Sequence, residues 1–408
     1  MKFIILSFVL CSTVAWPIPN PYSLKPIHHI EQAEGVTLVK DYSDLEDTTS
    51  YGNRPNCYDD SYLKTLNNVV DWNNPDSYQI KSKKKLYVSR IANGYIASSY
   101  LGTMFDDRQQ FLFDIMTSPG YPIFWPVQGE VAHAPLRHYP KLAMVQGPTL
   151  FYHWVLDRMP SILLLRQTLC DNPDIQLVIG NQFGTVSGYV REYLDLLGIP
   201  AHQYIVGERG CVYYGNEVYF ATPFLMEPIP NKLLMWMRQE LIDAAYKKPT
   251  TREYKDNLIV VIERVEPDRR ISNLSALKEL LAKIFPSPQY EHITYGAGMS
   301  VAEQIKIFNN AKVVIGAMAS GLTNIIYTKP GTAILEIHPS QMQHVTNKDG
   351  INNGGNEWAW WLSSAVGAEY HLIPSPFQLS DFYVGCPLYL VEPILTKYAQ
   401  TLENKLTP

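Results

Sequence analysis

The sequence of 408 residues contains no D-x-D, no C-x-x-C, no G-x-S-x-G and no complete G-x-G-x-x-G. Without D-x-D there is no usual carboxylate handle for a metal-bridged diphosphate. Without paired cysteines at ligand spacing the sequence carries no structural zinc signature, and Ser320 lacks the setting of a hydrolase elbow. The nearest approach to a dinucleotide fingerprint, Gly296 and Gly298, meets Val301 where the third glycine belongs. Charge of one sign is also missing: 34 Lys and Arg stand against 39 Asp and Glu, a net charge of −5. That gives no basic footprint for nucleic acid or an anionic membrane. Long apolar runs are absent except Phe3–Val14, which is too short to span a bilayer comfortably.

What is present suits a folded protein with proper cores, because 46% of residues are hydrophobic and 18% charged. The length suits two domains. Lys2 before the apolar run and the small residues Thr13-Val14-Ala15 predict a signal peptide over residues 1–15. The expected location is therefore the secretory lumen (ER or Golgi) or the exterior, with no membrane span after cleavage. A short signal anchor is the alternative. Cys57, Cys170, Cys211 and Cys386 then remain, an even number with three possible pairings. The single sequon, Asn273-Leu-Ser275, falls at a predicted helix start where Asn273 or Ser272 would cap.

Periodicity divides the chain further. Residues 16–85 form a loop-rich lead-in, followed by a first α/β domain over 86–246, a polar linker over 247–257, a second α/β domain over 258–375, and a tail with a helix over 376–408. The first domain opens with a predicted β-meander whose turns are Asn93-Gly94 and Asp106-Asp107. Two such domains joined by one linker leave a cleft.

Within the second domain, "VVIGAMASGLTNIIYTKPGTAILEIHP" reads as strand, small-residue turn, helix, turn and strand. Ser300 to Glu303 just upstream is a capping box. In parallel sheets ligands sit beyond the carboxyl ends of strands, where helices begin. The N–H groups near Ser320, Gly321 and Leu322 would suit an anion such as a diphosphate. Small residues serve equally to let a helix pack closely on a sheet.

Three further features are placed at the cleft. "ERVEPDRRISN" puts Arg264, Arg269 and Arg270 in a loop after the strand Leu258–Ile262, where arginine can hold phosphate oxygens bidentately. "FYHWVLDRMP" carries His153 and Asp157 four apart, on one face of an otherwise apolar helix that Pro160 should kink. The pair is either a general base with its orienting carboxylate or a structural ion pair. Trp358, Trp360 and Trp361 could stack on a sugar or fill the core, and Gln341–Asn356 reads as a candidate mobile loop.

These motifs carry a resemblance. "MSVAEQIKIFNNAKVVIGAMASGLTNIIYTKPGTAILEIHP" resembles the signature of glycosyltransferase family 61, "FYHWVLDRMP" its Tyr-His-Trp helix, and "ERVEPDRRISN" its Arg-rich loop ending in Asn. The resemblance implies a GT-B-like fold, with two Rossmann-like α/β domains facing each other across a cleft. It implies inverting transfer of a sugar, commonly N-acetylglucosamine or xylose, from a nucleotide donor such as UDP-GlcNAc to a glycan or protein hydroxyl. Carried over, Arg264, Arg270 and Asn273 bind the donor, and Ser320, Gly321, Leu322, Thr323 and Asn324 form its loop. His153 and Asp157 are the catalytic candidates, and neither metal nor cofactor is expected. Met318, Ala319 and Ser320 stand where the family usually has His-Gly-Ala, so a catalytically degenerate nucleotide- or glycan-binding protein is the alternative.

Overall fold

A computed structural model describes residues 25–27, 35–46, 56–57, 85–97, 103–106, 110–112, 134–145, 149–180, 186–208, 210–224, 229–250, 252–264, 270–296, 298–339, 358–375, 377–378 and 383–406. The signal segment, Arg269 and Gln341–Asn356 lie outside them. The fold is mixed α/β, with two large sheets and a three-stranded one.

Nine strands position the candidate site. In the first sheet, β1 (Leu136–Val145), β2 (Gln176–Ile179), β3 (Tyr204–Val206) and β4 (Val212–Ala221) run parallel in the order β4-β1-β2-β3. The second sheet holds β5 (Leu258–Ile262), β6 (Glu291–Tyr295), β7 (Ala311–Ala317), β8 (Ala333–Pro339) and β9 (Glu369–Ser375), parallel in the order β6-β5-β7-β8-β9. The strand order reverses between β1 and β4 in the first sheet and between β5 and β7 in the second. Ligand crevices open at such reversals, outside the carboxyl ends of the strands.

β5 reads as an unbroken apolar run because both of its faces are covered. In β5, Leu258, Val260 and Ile262 enter one core, while Ile259 and Val261 enter another on the opposite face. The second of these cores packs under the helices Leu274–Ile284 and Leu388–Leu406. The first core is continuous across both halves, taking Leu163 and Leu241 from one and Ile305, Leu322 and Trp360 from the other. Polar contacts cross it as well: Val301 donates its N–H to the Glu192 carboxylate at 2.6 Å, and Arg238 donates to the Thr328 carbonyl at 2.8 Å.

Several sequence expectations are corrected. Asn93-Gly94 is not a turn but lies inside one long strand, Tyr87–Ala97, paired with β4 on both sides of that dipeptide. Asn93 takes a φ of 55°, and a Cβ on Gly94 would come within 2.7 Å of Val218, so the dipeptide serves a local irregularity in the ladder. The lead-in contributes Val36–Asp41 to the first sheet and Asn56–Cys57 to the second. Cys57, Cys170, Cys211 and Cys386 form no disulfide. Ser300 caps the helix Val301–Asn309 by accepting from the Glu303 N–H at 3.2 Å, but the Glu303 carboxylate takes the Tyr254 hydroxyl instead of closing the box. Among the described residues, no helix is long and apolar enough to cross a membrane.

Candidate active site

After β1 the chain enters a helical run over 151–171, at the strand-order reversal of the first sheet. The run begins as α-helix at Phe151–His153, widens to a π-helical turn over Trp154–Arg158 and resumes as α-helix over Met159–Asp171. Pro160 has no N–H to give the preceding turn, and the irregularity expected there takes the form of this π turn, closed by the Met159 N–H on the Trp154 carbonyl. His153 Nδ1 lies 2.7 Å from Asp157 Oδ2. Asp157 is only 1% exposed, whereas the imidazole keeps 13%. A carboxylate only accepts, so the proton of a neutral imidazole sits on Nδ1.

The second sheet brings its own reversal to the same place. Ile262 of β5 and Gly316 of β7 are paired, so Arg264 and the turn at Ser320 leave from neighbouring strand ends. The helix predicted after that turn is a 3-10 helix, Ser320–Tyr327. Phe151–His153 packs against it, and so does the helix Trp358–Val366. The Tyr152 and Trp358 rings meet with centroids 5.0 Å apart. The turn carrying His153 and the 3-10 helix that follows the small-residue turn are thus brought together from distant parts of the chain.

Not every predicted donor residue faces outward. Ser320 is exposed and Gly321 partly so, but Leu322, Thr323 and Asn324 are fully buried. Asn324 donates to the Tyr295 hydroxyl at 3.0 Å, and that hydroxyl donates to Gln304 at 2.8 Å. Burial pushes the Tyr295 phenol up to about 12, so it stays a donor. The glycines have a packing reason: a Cβ on Gly316 would sit 2.8 Å from the Ile262 Cβ, and one on Gly321 would meet Tyr295 at 3.1 Å and Ile262 at 3.2 Å. Met318 is buried, and its N–H donates to the Ile337 carbonyl at 3.1 Å.

Arg264 is half-buried two residues beyond β5. Arg270 opens a two-residue strand, Arg270–Ile271, in the three-stranded sheet, beside Tyr383–Val384. Asn273 makes no side-chain cap; its amide donates to the Cys386 carbonyl and accepts from the Cys386 N–H, both at 2.8 Å. It ties the segment after Tyr383–Val384 to the start of the helix Leu274–Ile284. Trp358, Trp360 and Trp361 are all buried, so they belong to the core. A cavity of about 380 Å³ bordered by Lys40, Arg90, Asp171 and Tyr219 lies at the far end of the 151–171 run and holds none of these residues.

A family model described as Glycosyltransferase 61 matches residues 151–335. Over these residues the chain is similar to glycosyltransferase family 61. The matched span starts at the helix bearing His153 and ends inside β8, so the glycosyltransferase domain holds both strand-order reversals' helices and the Ser320 turn. No curated protein matches the chain. Among solved structures, it is similar to the crystal structure of the bacterial iron-containing dodecameric glycosyltransferase TibC from enterotoxigenic E. coli H10407, at 10% identity, over 64% of this chain and 79% of that one, with a TM-score of 0.24.

Two features of the glycosyltransferase were not singled out from the sequence. One is Arg158, fully buried and next to Asp157 in the chain. The other is Glu336 of β8, also fully buried, whose Oε2 accepts from the Tyr370 hydroxyl at 2.6 Å. The carboxylate in the apolar strand "AILEIHP", which follows Pro330-Gly331, was the signal.

Proposed function

We propose that the protein is an inverting, metal-independent glycosyltransferase of the secretory pathway, moving N-acetylglucosamine or xylose from a nucleotide sugar to a glycan or protein hydroxyl. The observation that carries this reading is the 2.7 Å His153–Asp157 contact on a turn packed against Ser320–Tyr327. A base and an anion-favouring turn then meet between two units arranged in the GT-B manner. The acceptor oxygen bonds to the anomeric carbon as its proton passes to His153 Nε2. The bond from that carbon to the diphosphate oxygen breaks, and the oxygen keeps the electron pair. Asp157 orients the imidazole and offsets the positive charge it gains. Arg264, Arg270 and the amides at Ser320 and Gly321 offset the charge on the leaving diphosphate. These cations supply the counter-charge that a D-x-D-bound metal supplies elsewhere, which is the ground for metal independence.

The test is incubation of the purified protein with a panel of nucleotide sugars, following release of free nucleotide with and without a chelator. Release from one donor, unchanged by chelation and stimulated by an acceptor, is the expected result. Release abolished by chelation overturns metal independence. The burial of Met318, Thr323 and Asn324 favours a second reading, a nucleotide- or glycan-binding protein without transfer. A nucleotide-dependent rise in melting temperature with no release from any donor would select it.

A further inference from the structure

Asn273 ends the segment that carries Arg270, and its side chain stands in for a peptide group. The strand Arg270–Ile271 pairs with Tyr383–Val384, and the ladder continues one step further as the Ser272 N–H donates to the Val384 carbonyl at 3.0 Å. The main chain then leaves the sheet, because the Asn273 carbonyl accepts from the Leu277 N–H and the helix Leu274–Ile284 begins. At that point the Asn273 side-chain amide takes over, donating to the Cys386 carbonyl and accepting from the Cys386 N–H, both at 2.8 Å. An amide can donate and accept at once, whereas a carboxylate only accepts and a methyl group does neither.

The tail is thereby tied to the second sheet. Ser375, the last residue of β9, donates its hydroxyl to the Gly385 carbonyl, and Ile271, Val384 and Cys386 share one core. Arg270–Ile271 packs against β7, the strand that leads to the Ser320 turn, and Tyr383–Val384 packs against β8. Ile271 enters the core, so Arg270, its neighbour in an extended strand, takes the opposite side, where it is half-buried. Strands of two residues have little stability of their own. The direction of Arg270 is therefore set by a short ladder whose other strand lies beyond the matched residues 151–335, and Asn273 closes that ladder.

We propose that Asn273 is a positioning residue for Arg270: by clamping residues 383–386 to the end of the arginine strand it fixes Arg270 for the donor diphosphate, and the C-terminal tail becomes part of the donor site's frame. The inference rests on the reading of Arg270 as a diphosphate ligand. The resemblance in sequence implied that Asn273 binds the donor itself; its amide is instead engaged by Cys386.

The experiment compares wild type, Asn273→Ala, Asn273→Asp, Arg270→Ala and the double variant in the full chain, by two measurements. Hydrogen exchange read by mass spectrometry, without ligand, follows the backbone amides of residues 270–272 and 383–386. Calorimetry gives the ratio of UDP to UMP affinity and of GDP to GMP affinity, which isolates the second phosphate; a loss of overall stability alone would not move that ratio. Asn273→Ala should speed exchange in both segments and lower the diphosphate preference by about tenfold, the scale of one charge-assisted hydrogen bond. Asn273→Asp keeps the shape but cannot donate to the Cys386 carbonyl, so it should act in the same direction. In the Arg270→Ala background, Asn273→Ala should leave the ratio where Arg270→Ala alone puts it. Unchanged exchange at 383–386, or faster exchange with the ratio intact in both Asn273 variants, overturns the proposal. If Arg270→Ala itself leaves the ratio intact, or wild type binds none of the four nucleotides, the donor reading of Arg270 fails and the positioning role with it, while the exchange data still show whether Asn273 clamps the tail.

Discussion

The phenol oxygens of Tyr193 and Tyr327 lie 3.0 Å apart in a fully buried seam between the helix Gly188–Leu196 and the 3-10 helix Ser320–Tyr327. Burial raises both phenols well above their ordinary pKa, so both keep their protons and one donates to the other. This contact fastens the half that carries His153 to the segment that follows the Ser320 turn.

Tyr193→Phe or Tyr327→Phe alone leaves one buried hydroxyl without its partner. Each is expected to cost roughly 1–3 kcal/mol. The double variant should cost clearly less than the two together, because no orphaned hydroxyl remains. Urea denaturation of the four proteins measures this, and strict additivity would show that the hydroxyls do not depend on each other.

His153→Ala and Asp157→Asn are each expected to cut transfer by roughly a hundredfold or more while nucleotide still raises the melting temperature. A sharp loss of stability in both, with transfer per folded molecule unchanged, would make the pair a structural contact. Steady-state rates and thermal shifts on the same preparations decide between them.

Gly316→Ala should destabilise by about 1–3 kcal/mol, since its Cβ would be driven against Ile262 from the paired strand. Gly321→Ala should cost less, because its two contacts are longer. If the glycines served only the donor, both variants would melt like wild type and lose nucleotide binding.

Local chemistry was easy to read where the chain is covered on both faces. The strand Leu258–Ile262 and the helix Leu274–Ile284 have the bounds their apolar patterns predict. Reading failed where a partner distant in sequence decides. Asn93-Gly94 has the composition of a hairpin turn, yet Val218 and its neighbours hold it within a strand. Gly316 and Gly321 could equally have met a phosphate or a side chain, and only the approach of Ile262 and Tyr295 identifies the side chains. The His153–Asp157 spacing was legible because four residues on a helix is a local relation. Its packing against Ser320–Tyr327 joins distant parts of the chain and left no trace in either motif.

Glu336 gives the fold a pH dependence. Burial raises its pKa from 4.5 to about 7, opposed by the Tyr370 hydroxyl, and its Oε1 has no partner. The folded state therefore holds a proton that the unfolded chain releases. The associated stability is full below about 4.5 and is lost as the pH climbs to about 7, by at most about 3 kcal/mol. Glu336→Gln keeps an acceptor for Tyr370 and removes the titration. The stability difference between wild type and Glu336→Gln should thus shift against wild type from pH 5 to pH 8, and a constant difference would place the ionisation elsewhere.

The pairing of Asn56–Cys57 with His371 and Leu372 of β9 sets an order of assembly during synthesis. When Asn56 leaves the ribosome, its partner strand has yet to be translated, and nearly all of the remaining chain must follow before β9 exists. Val36–Asp41, by contrast, finds Tyr87–Ile91 soon after it emerges. One end of this early segment can therefore dock at once while the other waits, with its ladder groups open, until the second sheet is complete. The closing of that edge must therefore await the synthesis of β9.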